Sequence, residues 1–344
     1  MRKLIGVIGA GNFGTAISLL LSNKSDVLLH SRRDEVIKEI NFDHFHLGQQ
    51  LPVNISGTND LKTFCDKCAI IFIAIPSRKF KDLMSSLSTY LSPRHIIIHC
   101  VKGFELHPDI NKNYEISPHE NLPIRTMSEV LKRETNVVRI GCLSGPNLSS
   151  EILKGLPAAT VIASPYDEVI QTGRELLDQK NFKVYGSHHL KGTEIAGALK
   201  NIVAIASGLV NGQNLGKNLE AIIITKGLHE MMNIGRSLDI DPNSFFGLAG
   251  IGDLIATATS PKSRNFSFGY NLGEITDIER VMEENEDLTE GITTTELIYN
   301  YCQKMQLECP IVNLVYDVIF NKREVKEALE HIYEVETKYD VDFY

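Results

Sequence analysis

Lys200 is where the chemistry of this chain is most easily approached. It stands in Ala198-Leu199-Lys200-Asn201, flanked at helical spacing by Ile195, Ala196, Leu199, Ile202 and Val203. Burial among such neighbours disfavours an ammonium and brings the neutral amine, which can take a proton, within reach. A lysine on the outer face of an amphipathic helix is the competing reading. Asn201 and the apolar flanks weigh against it. Lys102, in Val101-Lys102-Gly103-Phe104-Glu105, follows an apolar run, at the carboxyl edge where α/β sheets bind ligands. Asp253 closes the glycine-rich stretch Gly247 to Gly252, where an acid either caps a helix or serves as a ligand. Ser263, Arg264 and Asn265 gather donors suited to a phosphate ester, and a helix starting there would add its free amides.

A second constellation lies at the amino terminus. Gly9-Ala10-Gly11-Asn12-Phe13-Gly14 directly follows the apolar run Leu4 to Ile8 and opens a helical pattern. The first glycine permits a tight turn. The second lets backbone amides approach a pyrophosphate, and the third lets helix and strand pack closely. A dinucleotide site is therefore expected, with Gly9, Gly11, Asn12, Phe13 and Gly14 as its cofactor-binding residues. An NAD site usually closes its second strand with an acid that binds the ribose 2′-hydroxyl. Here that strand ends in Leu29-His30-Ser31-Arg32-Arg33, and Asp34 comes only afterwards. Two guanidiniums suit a 2′-phosphate, so the expected cofactor is NADPH, with NADH possible.

These groups must be positioned by a scaffold, and the periodicities describe one. Leu4 to Ile8, Val27 to Leu29, Ala69 to Ile75, His95 to Cys100 and Val137 to Leu143 are nearly continuous apolar runs. Such runs suit parallel strands buried on both faces, and Thr15 to Ser22 supplies a helix between the first two. Runs at Ala158 to Ala163 and Phe182 to Tyr185 would extend the sheet. After about Ser187 the apolar positions recur at helical spacing, and Leu219 to Ile234 continues as a further helix. The expected fold is α/β, a doubly wound nucleotide-binding domain over residues 1–187, then a mostly helical substrate-binding and catalytic domain over 188–344. Leu106 to Glu134, polar and holding Pro108, Pro118 and Pro123, reads as a surface loop with one short helix.

Composition narrows the classes. The chain has 344 residues, ample for two domains, and a formal net charge of −8 that argues against a uniformly basic nucleic-acid-binding surface. Six cysteines, with Cys65 and Cys68 a lone CxxC, do not make a disulfide framework and read as reduced thiols of a cytoplasmic enzyme. The apolar stretch from Leu4 is too short and glycine-rich for a signal peptide or a membrane span, so no integral membrane contact is expected. His44 with His46, and His188 with His189, lack the spacing and partners of a metal site. They read as loop histidines, and no metal is expected.

Taken in order, GAGNFGTA, LPVNISGTNDL, AIPS, KGFE, LSGPN, ALKNIVAIASG, GLAGIGDLIATATSPKSRN and TEG resemble the bacterial-type NAD(P)-dependent glycerol-3-phosphate dehydrogenases over almost the whole chain. The resemblance implies reversible reduction of dihydroxyacetone phosphate to sn-glycerol 3-phosphate for phospholipid synthesis. It also implies a homodimer. It makes Lys200 the proton acceptor and a substrate ligand, and puts Lys102 against both substrate and cofactor. Asp253 orients either Lys200 or the substrate hydroxyl. Ser263, Arg264 and Asn265 meet the substrate, with Arg264 shared with NADPH, and Gly145 and Asn147 line the opposite wall. Ser149, Leu288 and Glu290 match cofactor-side positions. The chain departs from the family at Asn147, where threonine or serine is usual. It departs again at His44-Phe45-His46-Leu47-Gly48, where aromatic-Leu-Pro is usual, and in the longer interval from Lys102 to Ser144.

Two other readings compete. A 2- or 3-hydroxyacid dehydrogenase would bind a carboxylate, against which the Ser263-Arg264-Asn265 cluster argues. A redox sensor that binds NADPH without turnover would need no Lys200, Lys102 and Asp253 together.

Overall fold

The computed structural model describes residues 2–106, 124–275, 278–285 and 290–334. Eight strands form one sheet: β1 (Leu4–Ile8), β2 (Asp26–His30), β3 (Ile55–Thr58), β4 (Ile70–Ile73), β5 (Ile96–His99), β6 (Arg139–Ser144), β7 (Ala158–Ala163) and β8 (Phe182–Ser187). Their spatial order is β3-β2-β1-β4-β5-β6-β7-β8, with the chain reversing direction across the sheet between β1 and β4. That is the order of a dinucleotide-binding fold, whose ligand sits at the reversal. All neighbours are parallel except β6 and β7, which pair antiparallel through Cys142 with Ala163 and Ser144 with Val161.

The inner strands β1, β4 and β5 are largely apolar because both faces are covered. Ile5, Val7, Val27, Leu29, Phe72 and Ile98 pack with the helices Asn12–Ser22 and Asp167–Leu177. Ile8, Leu28, Ile71, Ile73, Ile97 and Ile140 pack with Leu61–Lys67, Phe80–Leu87 and Met127–Glu134. Strand β3 escapes the periodicity because it is an edge strand, with only Ile55 of its four residues buried. Of the segment from Leu106 to Glu134, only Leu106 and residues 124–134 are described. Phe104–Leu106 pairs antiparallel with Ile124–Thr126, and the expected short helix is Met127–Glu134, closed by a Thr126/Glu129 capping box. Pro108 and Pro118 lie outside the described residues, as does Pro123.

The chain divides into two compact units, one of residues 1–198 with 238–256 and the other of 199–237 with 257–344. Packing thus returns 238–256 to the sheet-bearing unit, a long-range event with no local signal. Among the described residues nothing after Ser187 is a strand. The helix Leu190–Gly212 is long and apolar enough to cross a membrane, but 94% of its apolar window is buried inside the fold.

The second unit is held by glycines. Cβ atoms on Gly208 and Gly212 would come within 2.2 Å of the Phe266 carbonyl oxygen and 2.3 Å of that of Tyr270. Cβ atoms on Gly269 and Gly273 would meet the carbonyl oxygens of Ile205 at 2.1 Å and Leu209 at 2.6 Å. Two glycines one turn apart on each helix let Leu190–Gly212 and Arg264–Glu274 touch backbone to backbone. We expect Gly269→Ala to cost about 1–3 kcal/mol by overpacking, read as a lowered Tm.

Glu230 is buried on the helix Gly216–Ser237, where its carboxylate accepts from the Ile311 and Val312 amides at 2.6 and 3.1 Å. It therefore caps the start of Pro310–Phe320. Desolvation outweighs those two donors and pushes its pKa up to about 8. A folded-state pKa raised above the unfolded value means that the contribution is full below the unfolded pKa and is lost as pH rises through about 8. The wild-type Tm should fall between pH 5 and 8.5 more steeply than that of Glu230→Gln; parallel profiles would contradict this.

Candidate active site

Four loops leave parallel strands at the same sheet edge. They are the turn after β1, the segment after β2, the segment after β5 and the turn after β6. The first carries the glycine motif, and each glycine has a separate reason. Gly9 has φ +109°, and a Cβ there would lie 2.2 Å from the Ala74 carbonyl oxygen. A Cβ on Gly14 would strike the Gly9 carbonyl oxygen at 1.8 Å. At Gly11 a Cβ would meet nothing within 4 Å, although the residue starts the helix Asn12–Ser22 and no side chain caps it. Open space beside uncapped helix amides fits a pyrophosphate. Asn12 is exposed there, and Phe13 packs half-buried against the core.

Arg32 and Arg33 follow β2 and are both exposed, with no ion pair to either among the described residues. Asp34, which follows them in the chain, accepts from the Asn59 amide at 2.7 Å. Beyond β5, Lys102 Nζ donates to Asp253 Oδ2 at 2.5 Å and to the Gly145 carbonyl at 3.4 Å. The carboxylate side chain is 3% exposed and the lysine 19%. Asp253 therefore has a partner that the sequence did not suggest, since either Lys200 or the substrate hydroxyl was expected. The lysine stem passes Gly197, where a Cβ would stand 3.6 Å from Lys102 Cγ and 2.9 Å from Ser144 Oγ. Gly145 has φ +149°. The Asn147 amide packs inward, its oxygen accepting from the Thr160 hydroxyl at 2.8 Å and its nitrogen donating to Ala159 O at 3.0 Å. Ser149 begins the short helix Ser149–Ile152.

Sequence reasoning missed a buried carboxylate cluster at the end of β5. The buried Glu194 carboxylate accepts from Ser128 N at 2.7 Å and Ser128 Oγ at 2.6 Å. His99 Nε2, at the end of β5, lies 3.1 Å from the same carboxylate. A charged residue in so apolar a helix was the available signal.

In the second unit Lys200 is 5% exposed, and its Nζ donates to Thr257 Oγ1 at 2.5 Å. Asn201 is buried beside it. Thr257 carries no sequence signal of its own, though it stands one helical turn after Asp253 in Asp253–Ala258. Ser263 is the N-cap of Arg264–Glu274, its Oγ accepting from Phe266 N at 3.3 Å. Arg264 is exposed at the first helical position. Asn265 Oδ1 accepts from Gly291 N at 3.2 Å and so ties that turn to the start of Glu290–Met305. Glu290 is half-buried, and Leu288 lies outside the described residues.

The cysteines are free, and the CxxC pair is buried. Desolvation pushes the Cys65 thiol up to about 11 and that of Cys68 up to about 12, so both stay protonated at neutral pH.

Residues 4–170 match the family described as NAD-dependent glycerol-3-phosphate dehydrogenase N-terminus, and residues 189–330 match its C-terminus. The chain is 33% identical over 342 residues to a glycerol-3-phosphate dehydrogenase [NAD(P)+] of Alcanivorax borkumensis, covering 98% of this chain and 95% of that one. A protein of the same name from Staphylococcus aureus is also 33% identical, over 97% of this chain and 98% of its own. The crystal structure of glycerol-3-phosphate dehydrogenase from Coxiella burnetii superposes with a TM-score of 0.86 at 28% identity, covering 97% of this chain and 99% of that one. The chain belongs to the NAD-dependent glycerol-3-phosphate dehydrogenase family.

Proposed function

We propose that this chain is an sn-glycerol-3-phosphate dehydrogenase that prefers NADPH, interconverting dihydroxyacetone phosphate and sn-glycerol 3-phosphate for glycerophospholipid synthesis. The observation that carries the reading is Lys200, a lysine buried to 5% exposure and hydrogen-bonded to a threonine hydroxyl, in a chain with a dinucleotide fold. When bound, the dihydronicotinamide supplies the hydride. Lys200 donates a proton to the alkoxide forming at C2, and in oxidation it takes the proton of the C2 hydroxyl. Thr257 holds its Nζ. Lys102, aimed by Asp253 and the Gly145 carbonyl, polarises the substrate carbonyl.

The phosphate ester is assigned to Ser263, Arg264 and Asn265. Ser263 supports this as the cap of a helix that presents Arg264 in its first turn. Gly145 and Asn147 are assigned to the substrate wall. Gly9, Gly11, Asn12, Phe13, Gly14, Arg32 and Arg33 are assigned to the cofactor, with Lys102, Ser149, Arg264, Leu288 and Glu290 on its other side. Residues 1–187 would thus serve mainly the nucleotide, and 188–344 the substrate and proton transfer. A cytoplasmic homodimer completes the reading, by analogy with the family.

The test is loss of NADPH absorbance on addition of dihydroxyacetone phosphate, with dihydroxyacetone run in parallel. Oxidation only with the phosphorylated ketone is expected. Equal rates would remove the phosphate site, and NADPH binding without oxidation by either ketone would favour the sensor.

A further inference from the structure

The segment from His44 to Gly48 ends up against the glycine turn. Phe45–His46 pairs with Gln49–Gln50 in a small hairpin, with His44 at φ +47° and Leu47 at φ +49°. An exposed leucine in the left-handed region is strained, and such strain persists where the surroundings fix it. The strained hairpin delivers His46 inward, where it is 3% exposed.

Its ring contacts two acceptors. Nε2 lies 2.8 Å from the Ala10 carbonyl oxygen, and Nδ1 lies 2.6 Å from Glu39 Oε2. A carbonyl only accepts, so Nε2 carries a hydrogen and donates it. The Glu39 contact orients the ring.

Ala10 is the residue between the first two glycines of the motif. In a trans peptide the carbonyl and the following N–H point in opposite directions. A donor holding the Ala10 carbonyl on one side therefore aims the Gly11 N–H to the other. Gly11 itself is exposed, and a Cβ on it would meet nothing within 4 Å. Gly11 has no side chain to restrict its backbone, so the peptide plane needs an external clamp.

We propose that His46, oriented by Glu39, is a positioning residue for the cofactor: it locks the Ala10–Gly11 peptide so that the Gly11 amide faces the dinucleotide's pyrophosphate. The proposal rests on the dinucleotide-binding part of the reading above and not on turnover.

The experiment is isothermal titration of the full chain with NADPH and with adenosine 2′-monophosphate, which has the adenine and 2′-phosphate but no pyrophosphate. His46→Ala should weaken NADPH by about tenfold, the scale of one hydrogen bond to a charged group, and leave adenosine 2′-monophosphate unchanged. His46→Gln, whose amide can still donate to the Ala10 carbonyl, should recover most of the NADPH affinity. Equal weakening of both ligands would show a merely structural role and overturn the proposal, as would unchanged NADPH affinity in His46→Ala. If His46→Ala fails to fold, His46→Gln decides alone: near-wild-type affinity supports the clamp, and a full loss overturns it. Wild-type protein that binds no NADPH would overturn the dinucleotide reading and the clamp together. Tight binding without turnover would overturn only the dehydrogenase.

Discussion

Lys200→Ala is expected to lower kcat by about 10²–10⁴-fold, the range for removing a general acid–base group, while NADPH binding stays as it was. The residue is buried and bonded to Thr257, so the methyl left behind removes the transferable proton without touching the glycine turn. Steady-state rates with dihydroxyacetone phosphate, beside fluorescence titration of NADPH, separate the two effects. The loss should appear in kcat and kcat/KM alike, as for an interaction made only in the transition state. A nearly unchanged kcat would remove Lys200 from the chemistry. An equal loss of NADPH affinity would make it a structural residue.

The double variant Arg32→Ala/Arg33→Ala should weaken NADPH by about 10- to 100-fold and leave NADH almost unaffected, as expected when charge-assisted bonds to a phosphate are removed. Both guanidiniums are exposed at the carboxyl end of β2, and Asp34, the next residue in the chain, is bonded to Asn59. Parallel NADPH and NADH titrations check this. Equal weakening of the two cofactors would show that the arginines steer anions in general and do not read the 2′-phosphate.

What could be read from the sequence was what is local. Leu4–Ile8 and Ala158–Ala163 are strands at the bounds their apolar runs suggest, and the glycine motif opens the first helix as its spacing requires. Each depends on neighbours within a few residues. Ile55–Thr58 was hidden because an edge strand buries little and this one holds Ser56 and Gly57. The pairing of Phe104–Leu106 with Ile124–Thr126 crosses a long polar interval that carries no periodicity.

The site divides in the same way. Lys200 and Lys102 stand out because a cation in apolar company is locally anomalous. Asp253 stands out in its glycine-rich stretch, but Lys102, which donates to it, is 151 residues away, and only the folded chain pairs them. His46 read as a loop histidine because the Ala10 carbonyl that it holds is 36 residues distant. Glu194 carries an anomalous charge in the same helix as Lys200, but its partners Ser128 and His99 come from other elements and leave no local signal.

The most direct measurement follows the hydride. NADPH deuterated at C4 of the nicotinamide, on the transferred face, is incubated with the enzyme and dihydroxyacetone phosphate, and the product is examined by NMR. The expected product is sn-glycerol 3-phosphate carrying one deuterium at C2, formed in proportion to the cofactor oxidised. Cofactor oxidised without deuterium at C2 of the product would contradict this, and so would a deuterated product other than sn-glycerol 3-phosphate.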